Sequence, residues 1–557
     1  MIGQIKQTIK DEIKKALLKA GYELEIDFEA GLENTKDVAH GDFASNVAMQ
    51  LARIAKKNPR AIAEEIINNL DLEAASIEKA DIAGPGFINF FINKAILTKV
   101  INDIIAADAD YGRSDAGKKL KYNVEYSSVN PTGDIHLGHA RGAAIGDSLC
   151  KILVAAGYDV TREYYINDAG NQIHNLVLSV FARYTEALGL AAKFPEDGYH
   201  GEDIKKLGQD LAKECGNRFF MPGSIDINSD HVQELRERAL NFELNKIKTD
   251  LTAFGVEFDL YTSEQQLYDD GLVEQSIELL REKGYIYEQD GAEWFRSTDF
   301  GDDKDRVLKK SDGSFTYLVP DIANHIEKIK RVNDKLINLW GADHHGYIAR
   351  VKASIQALGY DADLLEVDII QMVRLIKDGA EFKMSKRTGK AVALRDLIEE
   401  VGVDGVRYFF ASRSAETPMD FDLDLAVKQS NENPVYYVQY AHARACTLLT
   451  RGAELGFEPA ALDIYAHLTH EKELDVIKRM GDFPAIVADA ALRRKPHIVV
   501  NHLHDLVSAF HSLYGAKKFI DADDAEGTCE RLALVKALRI TINNALSLVG
   551  VSAPVSM

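Results

Sequence analysis

Residues 121–157 read KYNVEYSSVNPTGDIHLGHARGAAIGDSLCKILVAAG, and this stretch predicts how the centre of the chain folds. At its start the side chains of Tyr122, Val124 and Tyr126 alternate with polar ones, which is typical of a strand. From 140 to 156 the apolar residues recur at helical spacing. The stretch therefore predicts a strand, a loop and a helix, in that order.

The loop between this strand and helix carries glycines and two histidines. Gly133 and Gly138 interrupt both periodicities, and His136 and His139 lie close together in HLGH. A loop that ends at a helix start presents free backbone N–H groups and the positive end of the helix dipole, which favour a bound anion such as phosphate. Histidines beside it can donate hydrogen bonds to a phosphoryl group as negative charge develops. An isolated HxxH also occurs as a helix cap or a metal site, so all three interpretations stay open at this point.

Composition and length predict a globular protein of several domains. Hydrophobic residues make up 46% of the 557 residues and charged residues 27%. At about 150 residues per domain, the chain is long enough for three or four. The N-terminus is a charged helical pattern, and no run of about 18 apolar residues occurs. We therefore expect a cytoplasmic protein with no membrane partner.

Cysteine usage and net charge limit the partners that the chain can have. The four cysteines are dispersed without a CxxC pair, which argues against a cysteine zinc site and against a disulfide framework. The net charge of −21 disfavours indiscriminate binding of polyanions. Because exposed charges are screened beyond about 8 Å, a local basic face that binds RNA is still compatible with it.

The N-terminal segment, residues 1–112, predicts a small α/β domain. Isoleucine and leucine residues recur along residues 2–17 on one face of a long amphipathic helix. Pro59 stands near the start of a second helix, where the first turn tolerates proline. Two short strands, at 77–83 and 87–92, flank a GPG turn.

The rest of the chain changes from an alternating pattern to a purely helical one. Over 113–425 helices alternate with short apolar strands, which predicts a Rossmann-like, doubly wound parallel sheet with its ligand at the carboxyl ends of the strands. A helical insertion at about 170–285 interrupts this alternation. Residues 426–557 predict a separate α-helical bundle. Three glycines are the expected breaks between its helices: Gly452, Gly481 and Gly515.

A second motif, FKMSKR, occupies residues 382–387 and is followed by TGK. It places four cations in a short polar stretch: Lys383, Lys386, Arg387 and Lys390. Taken alone, such a segment is most often a solvated basic loop. Taken together with HLGH on a doubly wound sheet, it resembles the paired signatures of class I aminoacyl-tRNA synthetases.

Further blocks along the chain resemble arginyl-tRNA synthetases, in that family's order. They include YYINDAGNQI, YTSEQQLY, FTYLVPDIANH, GADHHGY and NENPVYYVQYAHAR, and the N-terminal segments HGDFASNVA and GPGFINFF. The resemblance covers essentially the whole chain. It implies an enzyme that activates L-arginine with ATP to arginyl-adenylate and pyrophosphate, and then transfers arginine to the 3′-terminal adenosine of arginine tRNA.

The resemblance also implies which residues meet ATP. They are Gly133, His136, Gly138, His139, Lys383, Met384, Ser385 and Lys386. Of these, the two histidines and the two lysines are the expected catalytic residues, and Lys386 is the stronger candidate for the leaving pyrophosphate. We expect Mg²⁺ to arrive with ATP, because no HExxH or EF-type ligand set is present, and we expect no zinc.

The arginine side chain needs carboxylates in planar, bidentate geometry. The resemblance implies these arginine-binding residues: Glu264, Tyr317 and Asp321 for the guanidinium group, Glu125, Ser127 and Asn130 for the backbone end, and His344, where other members of the family carry glutamine. A pocket that pairs each guanidinium N–H could reject lysine by on the order of 10⁴ without an editing domain.

For the tRNA, the family uses its bundle at the anticodon and its N-terminal domain at the tRNA elbow. Tyr436, Tyr437 and Tyr440 beside Arg444 could stack on unpaired bases and hold phosphate, although aromatic residues at this spacing are also common in cores. By resemblance we expect a monomer that needs bound tRNA for the first step.

Three rival interpretations remain open on sequence alone. One is another class I synthetase, such as the cysteine or glutamate enzyme. The lack of a zinc-type cysteine cluster argues against the cysteine enzyme, and the acidic pocket argues against the glutamate enzyme. The second is a tRNA-binding or regulatory protein without activity, against which the intact HLGH and KMSK argue. The third is a small nucleotidyltransferase with an HxGH loop, a class that lacks KMSK and the helical tail.

Overall fold

The computed structural model describes residues 2–23, 28–35, 40–332, 334–382 and 392–557. Within these ranges the chain forms an N-terminal α/β part, a central part built on a parallel sheet, and a C-terminal helical bundle. The predicted mixed α/β fold class is thereby confirmed. The limits of the three predicted domains stay predictions. No helix within the described ranges is both long and apolar enough to cross a membrane.

The N-terminal part is a four-stranded antiparallel sheet covered by helices. Its elements are α1 (Ile2–Lys19), β1 (Glu33–Asn34), β2 (Phe43–Ser45), α2 (Val47–Ala55), α3 (Pro59–Asn69), β3 (Ile77–Ala83), β4 (Phe87–Ile92), α4 (Lys94–Thr98) and α5 (Val100–Ala107). The strands lie in the order β1-β2-β4-β3. The predicted apolar stripe of α1 is buried, and Pro59 is the first residue of α3, where the Asn58 side chain caps the helix.

The central part contains a five-stranded parallel sheet in the order β12-β11-β5-β6-β7. Its elements are β5 (Lys121–Glu125), α6 (Leu137–Ala155), β6 (Asp159–Ile166), α7 (Gly170–Ala187), α8 (Glu202–Cys215), α9 (Val232–Ala253), β7 (Leu260–Ser263), α10 (Glu264–Asp269), α11 (Leu272–Glu282), β8 (Ile286–Gln289), β9 (Ala292–Phe295), β10 (Arg306–Lys309), α12 (Leu318–Arg331), β11 (Lys335–Gly341), α13 (Ile348–Ala357), β12 (Leu365–Ile370), β13 (Val373–Lys377), β14 (Ala380–Glu381), α14 (Leu394–Val401), α15 (Val403–Ala411), β15 (Met419–Asp422) and α16 (Leu423–Ala426). The predicted strand, loop and helix at 121–157 are β5, its following loop and α6.

The direction in which successive strands are added to the sheet reverses at β5. Strands β6 and β7 are added on one side of β5, and β11 and β12 on the other. In an open parallel sheet such a reversal leaves a crevice at the carboxyl ends of the strands, where ligands bind. The topology therefore places the HLGH loop, which follows β5, at the edge of this crevice.

The insertion predicted at 170–285 is not purely helical. Strand β7 lies within it and forms one edge of the parallel sheet, paired with β6. The prediction was wrong here because β7 has four residues, of which only Thr262 is buried, so the sequence carries no clear strand pattern.

The C-terminal part is the predicted helical bundle. Its helices are α17 (Pro434–Glu454), α18 (Glu471–Arg493), α19 (His497–Ala516) and α20 (Ala525–Leu548). All three glycines predicted as breaks lie within helices, Gly452 and Gly515 in the last turns of α17 and α19 and Gly481 in the middle of α18. Gly452 and Gly481 allow close packing. A Cβ atom on Gly452 would lie 2.6 Å from Leu532 Cδ1, and one on Gly481 would lie 2.5 Å from Ile2 Cγ1.

Candidate active site

A cleft of about 710 Å³ opens at the carboxyl ends of the central strands. Three helices begin at its wall: His136 caps α6, Glu264 is the first residue of α10, and Asp321 lies in the first turn of α12. Nine of the fifteen residues predicted to bind ATP or arginine line this one cleft: Glu125, Asn130, Gly133, His136, His139, Glu264, Tyr317, Asp321 and His344. Residues that are distant in sequence thus share one cavity.

His136 caps helix α6 through one ring nitrogen, and its other ring nitrogen makes no hydrogen bond to any described residue. Its Nδ1 accepts hydrogen bonds from the backbone N–H groups of Gly138 (3.2 Å) and His139 (3.4 Å). Because Nδ1 is the acceptor, the neutral ring carries its proton on Nε2, which remains available as a donor. The capping interpretation of the motif is therefore correct for His136, and it leaves a phosphate-binding role open.

The two imidazole rings stack on each other and are neutral. Their centroids are 3.5 Å apart and their planes differ by 22°. Burial lowers the pKa of His136, and burial together with the neighbouring His136 lowers the pKa of His139 to about 3. His139 Nδ1 is buried without a hydrogen-bond partner among the described residues. The pair can therefore offer hydrogen bonds to an anion, but not two positive charges.

Nothing in the described ranges supports the metal-site interpretation of the histidine motif. No group of three or more histidine, cysteine, aspartate or glutamate side chains there could hold a metal ion. All four cysteines are unpaired thiols.

Gly138 supports the histidine loop from beneath the cleft. Its N–H group is engaged by His136, and it is not among the residues that line the cavity. A Cβ atom at this position would lie 3.2 Å from Cε1 of the His136 ring, so glycine lets the imidazole lie over the helix start. Gly133 does line the cleft.

The far end of the cleft is acidic. Asp321 Oδ2 accepts a hydrogen bond of 2.5 Å from the Tyr347 hydroxyl, and Glu264 Oε2 accepts one of 3.0 Å from Tyr165. The Asp321 carboxyl group is packed among protein atoms but keeps part of its surface open to the cleft. Burial, opposed by Tyr347 and reinforced by nearby carboxylates, raises the pKa of Asp321 to about 7. Burial raises the pKa of Glu264 to about 6.

Tyr317 stands at the mouth of this acidic end. It is the residue before α12, one helical turn from Asp321 as the spacing predicts, and it is 65% exposed. A phenol ring in that position can cover a ligand that reaches Asp321 without occupying the pocket itself. His344 is also exposed, and its Nε2 lies 3.5 Å from Asp343 Oδ2.

Glu125, the last residue of β5, lines the same cleft and lies close enough to the acidic end that its charge adds to the effect of burial in raising the pKa of Asp321. Glu125 is 8% exposed, and its Oε1 accepts a 3.0 Å hydrogen bond from the Ser128 hydroxyl. Asn130 donates to Gln172 Oε1 at 2.9 Å. Ser127 is buried in a left-handed conformation (φ 64°), and it is Ser128 that lines the cleft. The turn after β5 therefore gives the two serines different environments, a difference that the sequence does not reveal.

Of the lysine motif, Lys383, Met384, Ser385 and Lys386 lie outside the described residues. The described chain resumes at 392, beside the histidine loop. The Leu394 N–H donates to the Ile135 carbonyl at 2.8 Å, and Ala393 pairs with His136 as an isolated bridge. The segment that follows the lysine motif is thus attached to the loop that carries the histidines.

Several residues that line the cleft were missed in the sequence. They include Tyr165, Asn167, Trp340, Asp343 and Tyr347. Most of them could have been predicted from their position, because they stand at or just beyond the carboxyl ends of β6 and β11, where ligands bind in such a sheet. Tyr347 lies farther along, and no local pattern marks it.

On the bundle, the predicted tRNA-binding residues form a ladder of planar groups. The Tyr436 and Tyr440 rings are stacked with centroids 5.9 Å apart. The Arg444 guanidinium carbon lies 4.5 Å from the Tyr440 ring centroid and 4.2 Å from that of Tyr514. Tyr437 instead packs against His511, with centroids 4.6 Å apart. Tyr514, which the sequence did not single out, extends the ladder from α17 to α19.

Comparison with known protein families accounts for the chain in three consecutive parts. The arginyl tRNA synthetase N terminal domain matches residues 4–92, the catalytic domain of class I (R) tRNA synthetases matches 100–409, and the DALR anticodon binding domain matches 438–557. The chain belongs to the arginyl-tRNA synthetase family.

Similar proteins agree with this membership over their full length. Curated arginine–tRNA ligases of Bacillus velezensis and Bacillus subtilis are each 59% identical to this chain over 555 residues, which cover 100% of the chain and 99% of each relative. The solved arginyl-tRNA synthetase of Thermus thermophilus has the same fold, with a TM-score of 0.75 at 22% identity over 99% of this chain and 100% of that one. As a member of the arginyl-tRNA synthetase family, the chain is a class I aminoacyl-tRNA synthetase.

Proposed function

We propose that the chain is an arginine–tRNA ligase whose cleft binds ATP at the histidine loop and L-arginine between Glu125 and the acidic end. This proposal rests on the contrast between two parts of one cavity, of which one presents hydrogen-bond donors and the other presents carboxyl groups. Neutral imidazole donors stand at the start of α6, and two carboxyl groups, Glu264 and Asp321, stand at the starts of α10 and α12. An anionic triphosphate and a cationic side chain therefore each meet complementary groups.

In the first step, an oxygen of the arginine carboxylate attacks the α-phosphorus of ATP. A new P–O bond forms as the bond to the bridging oxygen breaks, and pyrophosphate leaves with the electron pair. Little acid–base chemistry is needed, so the protein acts by placing the reactants in line and stabilising charge. His136 Nε2 and the positive end of α6 support this role, because both face developing negative charge.

The lysine motif would complete the phosphate site. We propose that Lys383 and Lys386 contact the ATP phosphates and that Lys386 contacts the leaving pyrophosphate. The attachment of Leu394 to Ile135 supports this, since it keeps the downstream flank of the motif beside the histidine loop. Mg²⁺ would be held by the triphosphate oxygens, and it would supply further neutralisation of charge there.

Arginine selection would follow from the depth and charge of the acidic end. A guanidinium group presents five N–H donors in a fixed plane, which two carboxylates can pair and a lysine ammonium group cannot match. Glu264 is 5% exposed and Asp321 lies deep in the cleft, so a lysine ligand would leave a carboxyl group without a full set of partners. Tyr317 would cover the side chain at the mouth.

In the second step, a hydroxyl group of the terminal ribose of arginine tRNA attacks the carbonyl carbon of the adenylate, and AMP leaves. The ladder of Tyr436, Tyr440, Arg444 and Tyr514 on the bundle supports a role in holding unpaired tRNA bases, because aromatic and guanidinium planes stack on bases and all four groups are at least partly exposed. The monomeric state, the cytoplasmic location and the need for tRNA in the first step stay predictions.

ATP–pyrophosphate exchange tests this function directly. Arginine should drive exchange in the presence of arginine tRNA, whereas lysine, cysteine and glutamate should not. Omitting the tRNA tests separately whether the first step needs it. Exchange that is independent of arginine, or driven equally by another of these amino acids, would contradict the proposal.

A matched pair of variants then tests the acidic end. Asp321→Ala should raise the arginine KM by about 100-fold or more while the ATP KM stays within about twofold, because a charge-assisted, bidentate pair is lost. Glu327→Ala removes a carboxylate from the same helix that pairs only with Lys330 at the surface, at 2.7 Å, among the described contacts, and should change neither constant. Unchanged arginine kinetics in Asp321→Ala would remove Asp321 from the pocket.

A further inference from the structure

A buried lysine lies directly behind the arginine end of the cleft. The side chain of Lys328, on α12, has no exposed surface. Its Nζ donates to Glu125 Oε2, and it lies 3.3 Å from Asn338 Oδ1. A buried ammonium group is stable only when it is paired and hydrogen-bonded, and Glu125 and Asn338 provide these bonds among the described residues. Its charge also helps, against the effect of burial, to lower the pKa of the buried Glu163.

The same lysine is connected to the other end of the pocket through a chain of hydrogen bonds. The Asp321 backbone carbonyl can only accept, so the contact of 2.7 Å from His325 Nδ1 requires the proton on that nitrogen. In the neutral ring His325 Nε2 is then an acceptor, and it receives the Asn338 side-chain N–H at 3.0 Å. Burial and the nearby Lys328 charge lower the pKa of His325 to about 3, which keeps the ring in this neutral form.

The chain of hydrogen bonds therefore joins Glu125 to Asp321 through three buried side chains. It runs from Glu125 through Lys328, Asn338 and His325 to the Asp321 backbone. Glu125 ends β5, Asn338 lies on β11, and the other three residues lie on α12. The chain thus ties α12, which carries Asp321, to the two strands that carry Glu125 and Asn338.

We propose that Lys328 is a positioning residue for arginine. It holds the Glu125 carboxylate where the α-ammonium group of the amino acid binds, and it fixes the separation between that group and the guanidinium site. Lys328 also compensates the charge of Glu125, so that Glu264 and Asp321 are the carboxyl groups left for the guanidinium group. This inference rests on the proposed function, because it concerns the same pocket.

A purely structural ion pair is the competing explanation. In that case, loss of Lys328 would lower the thermal stability and the fraction of active enzyme, but the remaining enzyme would bind arginine as before. A positioning role makes a different prediction, because its effect appears in the arginine KM, leaves the ATP KM unchanged, and requires the Glu125 carboxylate.

The test compares Lys328→Met, Glu125→Gln and the double variant in ATP–pyrophosphate exchange with saturating arginine tRNA. Lys330→Met is the matched control, because Lys330 lies on the same helix with 52% of its side chain exposed and pairs with Glu327. We expect Lys328→Met to raise the arginine KM by about tenfold or more and to leave the ATP KM within about twofold. Lys330→Met should alter neither constant.

The double variant decides whether the lysine acts through Glu125. If it does, adding Lys328→Met to Glu125→Gln should change the arginine KM by less than about twofold, since the interaction is already lost. Effects of the two substitutions that multiply, or an unchanged arginine KM in Lys328→Met, would overturn the inference. If Lys328→Met does not fold, the comparison of the double variant with Glu125→Gln still decides. Failure of the proposed function would appear differently, as exchange in the wild-type protein that does not depend on arginine.

Discussion

Arginine should bind this cleft more tightly as the pH rises from 6 to 8, because Asp321 and Glu264 ionise over that range. Their pKa values are raised to about 7 and about 6, and the guanidinium group, with a pKa above about 12, stays protonated throughout. With a pKa of about 7, the ionised fraction of Asp321 rises from about 9% at pH 6 to about 91% at pH 8. For Glu264 the ionised fraction rises from about one half to nearly all.

These two ionisations combine to an increase of about 20-fold in kcat/KM for arginine between pH 6 and pH 8. The sign follows from the raised pKa values, since each carboxyl group must lose a proton before it can pair with the guanidinium cation. Exchange assays at saturating ATP measure this, and kcat/KM for ATP at saturating arginine is the control for effects on the phosphate site. In Asp321→Asn the increase in kcat/KM for arginine should fall from about 20-fold to about twofold. In Glu327→Gln, on the same helix, it should stay at about 20-fold. A pH-independent kcat/KM for arginine, or a full pH dependence in Asp321→Asn, would refute this reasoning.

Three further predictions concern other parts of the molecule. His136→Ala should lower kcat for exchange more than it raises the ATP KM, because it removes both a donor to the phosphate and the cap of α6; a change in the ATP KM alone would contradict this. Lys386→Ala should slow adenylate formation with a modest loss of binding, as expected for a contact made mainly in the transition state; an altered Michaelis constant at unchanged turnover would argue against that role. Arg444→Ala should raise the tRNA KM in aminoacylation and leave the arginine KM unchanged, while an unaltered tRNA KM would remove the ladder from the tRNA interface.

The elements with a strong local pattern could be predicted from the sequence. The apolar stripe of α1, the position of Pro59 and the segment 121–157 carry periodic or capping signals that need no knowledge of distant residues. Strand β7 has no such signal. Gly481 was misinterpreted because the helical cost of glycine, about 1 kcal/mol, is offset by the close packing against Ile2 that its missing side chain allows.

The site was predictable only in part, and for a related reason. The residues in the loop after β5 and at the starts of α10 and α12 belong to recognisable motifs, so they could be predicted as site residues from the sequence. Lys328 could not be found in that way, since its partner Glu125 is 203 residues away and the contact exists only after α12 packs on the sheet. Tyr347, which orients Asp321, depends on tertiary structure in the same manner.

The central claim is that one cleft holds the phosphate of ATP at the histidine loop and the side chain of arginine at the acidic end. A crystal structure of the protein with a non-hydrolysable arginyl-adenylate analogue tests it most directly. We expect the guanidinium group within about 3 Å of the Asp321 and Glu264 carboxyl oxygens, and the linkage that replaces the phosphate within hydrogen-bonding distance of His136 Nε2. An analogue bound outside the cleft, or bound with its guanidinium group turned away from both carboxyl groups, would contradict the account.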